Sequence, residues 1–304
     1  ASGYIALAKN TTGSYNTAHG RSSSYSNTTG QYNTVIGRDA GYYNTTGSCN
    51  SVLGSAALLC NTSGGFNVAV GRAALYSNTT ASNSIAVGAC ALYNNTTGGS
   101  NTAVGVVAMQ NNTTGEYSIA MGRYALNDNS TGCRNVALGY AAMLSNTTAS
   151  KNTAVGACAL YSNSTGASNT AVGNEALKTN TTGASLVGVG YEALAANTTG
   201  IRNTALGVYS QRYTSTGQFN TSSGYMSLCS NSTGCYNTAL GDLSLRNNTT
   251  ANSNTAVGAC SLTANTTGAS LVAVGYNALK SSTCANCSTA VGHQALMDQT
   301  TGSG

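Results

Sequence analysis

The sequence predicts an all-β fold, a parallel β-solenoid of about 18 coils, and three observations carry the prediction. A glycine recurs at a strict 17-residue interval from Gly3 through Gly20, Gly37 and Gly54 to Gly292, with no insertion or deletion. The residues before it form a short β-prone run, as in NTAVG at 152–156 and NTALG at 237–241. Between two such runs lies a second turn signal, NTTG, which leaves no stretch long enough for a helix. Seventeen residues are also too few for a helical-hairpin repeat, which takes about 33 or more, whereas they suit one coil of a solenoid. Residues 1–304 thus read as a single continuous repeat domain.

With the recurring glycine as position 1, the consensus is G-x-x-A-L-x-x-N-T-T-G-x-x-N-T-A-V. Positions 14–17 read as a strand. Position 15 interchanges Thr153, Val136 and Ile85, and position 17 is mostly Val, Leu, Ile or Met, so alternation points positions 15 and 17 inward. Leu or Met at position 5 (Leu58, Leu75, Met109, Leu160) marks the inward side of a second strand. Gly at position 1 and at position 11 supplies φ > 0 in the two turns. Coils stacked about 4.8 Å apart would form a rod roughly 85 Å long, a flattened two-sided roll or, alternatively, a triangular coil.

Position 16 would then face outward, yet it is Ala in most coils, including Ala69, Ala103, Ala154 and Ala256, and is never charged. Two readings are open: Ala suits a tight roll, or these residues form a lateral contact face for a second copy. Charges are confined to positions 2, 3, 6, 7, 12 and 13. Ala1 falls at position 16 and Gly304 at position 13, and neither end departs from the repeat. Uncapped solenoid ends are therefore expected, and two explanations fit: the chain is a piece of a longer repeat, or copies join head to tail in a filament, the reading favoured.

Ten cysteines suggest an oxidising, extracellular setting. Cys229 and Cys235 flank one turn, Cys49 and Cys60 flank the corresponding region of neighbouring coils, and Cys284 and Cys287 form a CxxC, making three candidate disulfides. Cys90, Cys158 and Cys260 share position 3 at separations of four and six coils. At about 4.8 Å per coil they are too far apart to bond one another. They and Cys133 are free or link separate chains.

Position 8 is Asn in fifteen coils: Asn10, Asn27, Asn44, Asn61, Asn78, Asn95, Asn112, Asn129, Asn146, Asn163, Asn180, Asn197, Asn231, Asn248 and Asn265. Each heads an N-x-[ST] sequon, so the file is either a set of N-glycosylation sites or a ladder of stacked amides. Position 14 is also mostly Asn, usually without a sequon, which favours the ladder. Thr at positions 9 and 10 forms two further files, such as Thr28 and Thr29, which raise ice binding as a third functional reading.

Other chemistry is sparse. The two histidines, His19 and His293, are sixteen coils apart, and the seven acidic residues are spread singly. No nucleophile–base set, metal triad or phosphate loop is visible, so no enzyme, no cofactor and no metal site is expected. The 12 scattered Lys and Arg argue against nucleic acid, and no apolar run reaches the length of a membrane span.

The NTTGxxNTAVGxxAL string resembles the head repeats of YadA-type trimeric autotransporter adhesins and repeats of tail-fibre-like proteins, over nearly the whole chain from Gly3 to Gly302. The resemblance implies a left-handed parallel β-roll in an extracellular, cell-surface or virion-surface fibre, often a homotrimer. YadA-type repeats are shorter and poor in Cys. The expectation is therefore a structural fibre that polymerises with itself, with an adhesin or receptor-binding shaft as the alternative. In that alternative, surface tyrosines such as Tyr76, Tyr93, Tyr161, Tyr191 and Tyr276 would meet glycan partners.

Overall fold

A computed structural model describes residues 1–301; Gly302, Ser303 and Gly304, the tail of the predicted domain, lie outside the described residues. It is an all-β parallel solenoid. Residue contacts divide it into two compact units, Ala1–Lys151 and Asn152–Gly304. The first unit carries eight strands, β1 (Thr17–His19) through β8 (Val136–Leu138). The second carries nine, β9 (Thr153–Val155) through β17 (Thr289–Val291). Within each unit successive strands pair in parallel at a 17-residue offset, as in Thr17↔Thr34 and Thr153↔Thr170. Among the described residues seventeen strands form, against the eighteen coils expected, and Ser2 contributes only an isolated bridge to His19.

Each coil has one strand, at positions 15–17, and the predicted second strand is absent among the described residues. Positions 2–7 are consecutive turns instead. The cause is backbone conformation: positions 3, 5 and 13 are left-handed in coil after coil, as at Ala56 (φ 55°), Leu58 (φ 52°) and Phe66 (φ 59°). Each such residue costs roughly 1–2 kcal/mol against the ordinary regions. The conformation turns their N–H groups toward neighbouring coils, where they bond: Leu58 N to Ala74 O at 2.9 Å, Ala73 N to Ser55 O at 3.0 Å and Phe66 N to Ser48 O at 3.0 Å. The backbone ladder thus runs through the turns as well as the strands.

The two glycine positions serve different needs. Position 1 lies at φ between 121° and 148°, where a side chain is strained, and a Cβ there would meet the next coil's backbone, as at 2.4 Å for Gly156 against Gly173 O. Position 11 does not need φ > 0, contrary to the sequence reading: Gly47, Gly64 and their equivalents lie outside the left-handed region. There glycine answers closeness of approach, since a Cβ on Gly47 would lie 2.3 Å from Asn44 Oδ1 and 2.4 Å from Gly64 O.

The interior is narrow and built from Leu at position 5, Ala at positions 4 and 16, and Asn at positions 8 and 14. Leu58, Leu75, Leu92, Leu160 and Leu177 are fully buried, so the inward reading of position 5 holds. In the second unit, Leu228, Leu245, Leu262 and Leu279 stack with Ala239, Ala256 and Ala273 in one cluster. Positions 5 and 16 share a volume. Where position 5 is small, at Ser24 and Gly41, position 16 enlarges to Val35 and Val52. A Cβ on Gly41 would sit 3.5 Å from Val35 Cγ1, in ordinary contact.

Candidate interaction surfaces

The strand shows its sides in the opposite sense to the sequence reading. Burial along the strands alternates exposed or half-buried, buried, exposed or half-buried, so position 16 faces in and positions 15 and 17 face out. Ala69, Ala103, Ala154 and Ala256 are each completely buried and cannot be a lateral contact face. They are Ala because Leu at position 5 occupies the space above them: a Cβ on Gly188, at position 16, would lie 3.3 Å from Leu177 Cγ. The outward files hold the larger aliphatics, among them Leu53, Ile85, Ile119, Met121, Leu206 and Val291, all exposed.

Position 8 is an amide ladder. Asn27 Nδ2 donates to Asn10 Oδ1 at 2.8 Å and to Gly30 O at 3.0 Å, and the pattern repeats at Asn61 with Asn44 Oδ1 and Gly64 O. In the second unit it recurs from Asn180 to Asn163 and from Asn248 to Asn231. Both hydrogens are committed where an Asn precedes in the file, while Asn10 and Asn231 donate one each, to Gly13 O and Gly234 O. All but the half-buried Asn10 are at most 4% exposed. A glycan on Nδ2 would displace these bonds and the preceding coil, so the geometry of the buried sequons favours the ladder over glycosylation. Position 14 forms a second inner column: Asn33 N bonds Asn16 Oδ1 at 2.9 Å, and Asn33 Nδ2 bonds Gly47 O at 2.9 Å. The position-9 hydroxyls are committed too, Thr28 Oγ1 donating to Thr45 O at 3.0 Å, so this Thr file serves the stacking of coils.

All ten cysteines are free, so the pairs Cys229–Cys235, Cys49–Cys60 and Cys284–Cys287 are not disulfides here. Between Cys229 and Cys235 the turn is closed by Asn231 Nδ2 on Gly234 O at 2.9 Å, with no disulfide across it. Cys229 is buried, while Cys235 Sγ accepts from Gln218 N and donates to Thr233 O, both at 3.3 Å. Cys49 precedes a strand and Cys60 closes a run of turns, on different parts of the coil. Cys284 and Cys287 are exposed thiols. Cys90, Cys133, Cys158 and Cys260 are half-buried at the surface, Cys90 with the Arg72 guanidinium 3.9 Å from its sulfur. Burial pushes the Cys60 and Cys229 thiols above their ordinary value, at Cys229 against the opposing pull of Arg212 and Arg246.

Aromatic side chains stack coil on coil. Tyr15 and Tyr32 lie with centroids 4.9 Å apart and 8° between planes, Tyr76 and Tyr93 at 4.8 Å, and Phe219 and Tyr236 at 4.9 Å. The second unit also has a charged cluster. Arg212 pairs with Glu192 and lies over the rings of Tyr209 and Tyr213 at 4.8 and 5.0 Å, while Lys178 meets Glu175 at 2.9 Å. These groups border an open hollow of about 240 Å³ over Ala195 and Ala196, whose small side chains leave a notch one coil wide. Both cations there already have a carboxylate partner.

Among the described residues no three His, Cys, Asp or Glu side chains gather closely enough to hold a metal ion, and no helix is long and apolar enough to cross a membrane. Comparison with protein-family models, curated proteins and solved structures finds no match. Sequence reasoning missed the outward files at positions 15 and 17. One signal could have found them: Leu186 and Leu271 replace Asn at position 14 and are fully buried, so position 14, and with it position 16, faces in.

Proposed function

We propose that this chain is a structural fibre protein of an extracellular or surface assembly, with no catalytic role, and that its coils add end to end across copies as they do within one. One observation carries this reading: coil edges are interchangeable. Each coil offers its neighbour the same donors and acceptors at the same 17-residue offset, as Leu58 N to Ala74 O, Leu75 N to Ala91 O and Leu92 N to Ala108 O show. A coil edge on one copy therefore complements a coil edge on another, and such a heterologous contact extends without closing. Negative-stain microscopy of the purified chain tests it. Filaments many times longer than one molecule, shortened by sonication and regrown from the fragments as seeds, are expected. Particles of one chain length at every concentration would overturn the reading.

The stacked, exposed rings of Tyr15 and Tyr32 favour a second reading, an adhesin shaft, because such faces suit sugar rings. A glycan-binding screen that responds to Tyr32→Ala would favour it over the first.

A further inference from the structure

We propose that the hollow over Ala195 and Ala196 is a binding site for a small molecule carrying one electron-rich aromatic ring system, a phenol or an indole. The site lies on the side of the second unit and uses no coil edge, so it stands independently of the structural-fibre reading.

The hollow is a gap in a ladder. Position 6 carries Lys178, Ala195 and Arg212 in three successive coils, and position 7 carries Thr179, Ala196 and Tyr213. Backbone bonds from Thr179 N to Ala195 O at 3.1 Å and from Ala196 N to Arg212 O at 2.9 Å hold these coils in register. The two alanines therefore leave an open level, with longer side chains one coil to either side. Backbones two coils apart are separated by about 9.6 Å. Elsewhere at position 6, rings stack at a single coil spacing, Tyr25 on Tyr42 at 5.0 Å and Tyr76 on Tyr93 at 4.8 Å. One ring at the level of the alanines thus meets a wall at stacking distance on each face.

Charge selects the occupant. An aromatic ring is negative on its faces and positive at its edge. Lys178 stands on one side of the gap, and the Arg212 guanidinium and Tyr213 ring stand on the other. All three suit a ring face. The molecule already makes such a contact: Arg202 lies 5.3 Å over Phe219, one coil on at the same position. Glu192 belongs to the alanines' own coil and lines the hollow, at the level of the ring's edge. Its carboxylate, paired with Arg212, keeps lone pairs to accept from an indole N–H or a phenol O–H. A saturated ring has no π face for the cations. A ring bearing a carboxylate would be repelled by Glu192 and by Glu175, the partner of Lys178. Size agrees, since an apolar cavity of about 150 Å³ takes benzene and this hollow measures about 240 Å³.

Equilibrium dialysis of the full chain against indole tests the site, read by indole emission because the chain has no tryptophan. Wild type is expected to bind indole saturably at a single site per chain, with p-cresol competing and cyclohexanol not. K178M keeps the bulk of the wall and removes its charge, and it should weaken binding about threefold, the worth of one exposed cation over a ring. A195L/A196L fills the gap and should abolish binding. The proposal is overturned by an absence of saturable binding, or by cyclohexanol competing as well as p-cresol. Unchanged affinity in K178M, or a folded A195L/A196L variant that still binds, overturns it equally. If the double variant does not fold by circular dichroism, Ala196→Met alone narrows the gap and is held to the same outcome.

Discussion

An asparagine at position 8 works only when its neighbours are also asparagine, because each amide donates to the coil below and accepts from the coil above. Three sites depart from Asn, Thr214, Ser282 and Gln299, and the hydroxyls of Thr214 and Ser282 are buried without a partner. Asn197 Oδ1, beneath Thr214, is orphaned with it, while Asn265 Oδ1 turns back to Gly268 N at 3.1 Å. Thr214→Asn is therefore expected to stabilise the protein by about 1 kcal/mol, the net worth of a restored buried hydrogen bond. Asn112→Ala has the opposite sign. It removes bonds to Asn95 Oδ1 at 2.7 Å and Gly115 O at 3.0 Å and strands Asn129 Nδ2. A loss of about 3 kcal/mol is expected, and chemical denaturation of the two variants measures both. The thiols give a second residue-scale outcome. Only the thiolate alkylates, so half-buried Cys60 and buried Cys229, with raised pKa values, should react with iodoacetamide well after exposed Cys284 and Cys287. Peptide mass mapping over time orders them.

The single coil is the element of this fold, and its core depends on one compensating pair. Gly41→Leu alone would press on Val35 and is expected to cost about 1–3 kcal/mol by overpacking. Val35→Ala alone leaves a void worth about 2 kcal/mol. In the double variant the added leucine takes the space that the Val35 methyls leave, and a thermal-melt cycle should return a favourable coupling of at least about 1 kcal/mol. The coil also shows what the sequence could and could not tell. Period, parallel stacking, the turn at position 1 and the buried Leu at position 5 were legible, because they follow from spacing and from residues with one steric role. The sidedness of the strand was not. Alternation assigns the greasier parity to the core, and here Val155 and Leu206 stand outside while Ala154 and Ala205 fill the inside. A coil this narrow admits only methyl-sized side chains opposite its leucines, so hydrophobicity and burial part company. The left-handed residues at positions 3, 5 and 13 were equally hidden: Glu175, Leu177 and Ser168 carry no local preference for φ > 0, and only the ladder on both sides holds them there. The choice between amide ladder and glycan was hidden for a related reason, since a sequon specifies three residue types and says nothing of which way the amide points.

At the scale of the whole molecule the chain carries a net charge of +5. Copies joined end to end would repel through that charge and attract through coil-edge hydrogen bonds and apolar burial. Salt screens the first over about 10 Å at 0.1 M and leaves the second in place. End-to-end growth is therefore expected to strengthen as ionic strength rises, seen as longer filaments at equal protein concentration. Filaments that shorten with salt would place the contact on charged positions instead.

The directions of the backbone bonds have a consequence for growth in length. Within one coil the peptides ahead of Leu58, Cys60 and Val68 aim their N–H groups at the following coil, while those ahead of Phe66, Gly71 and Ala73 aim theirs at the preceding one. The peptides ahead of Thr62 and Ser63 also aim at the following coil, so the opposition is incomplete. An α-helix lines all its dipoles up and gathers about half a unit charge at each end; here the opposed peptides cancel only part of each coil's dipole, and the remainder adds from coil to coil. A stack is therefore polarised along its length, and its two growing ends present different fields to an arriving copy.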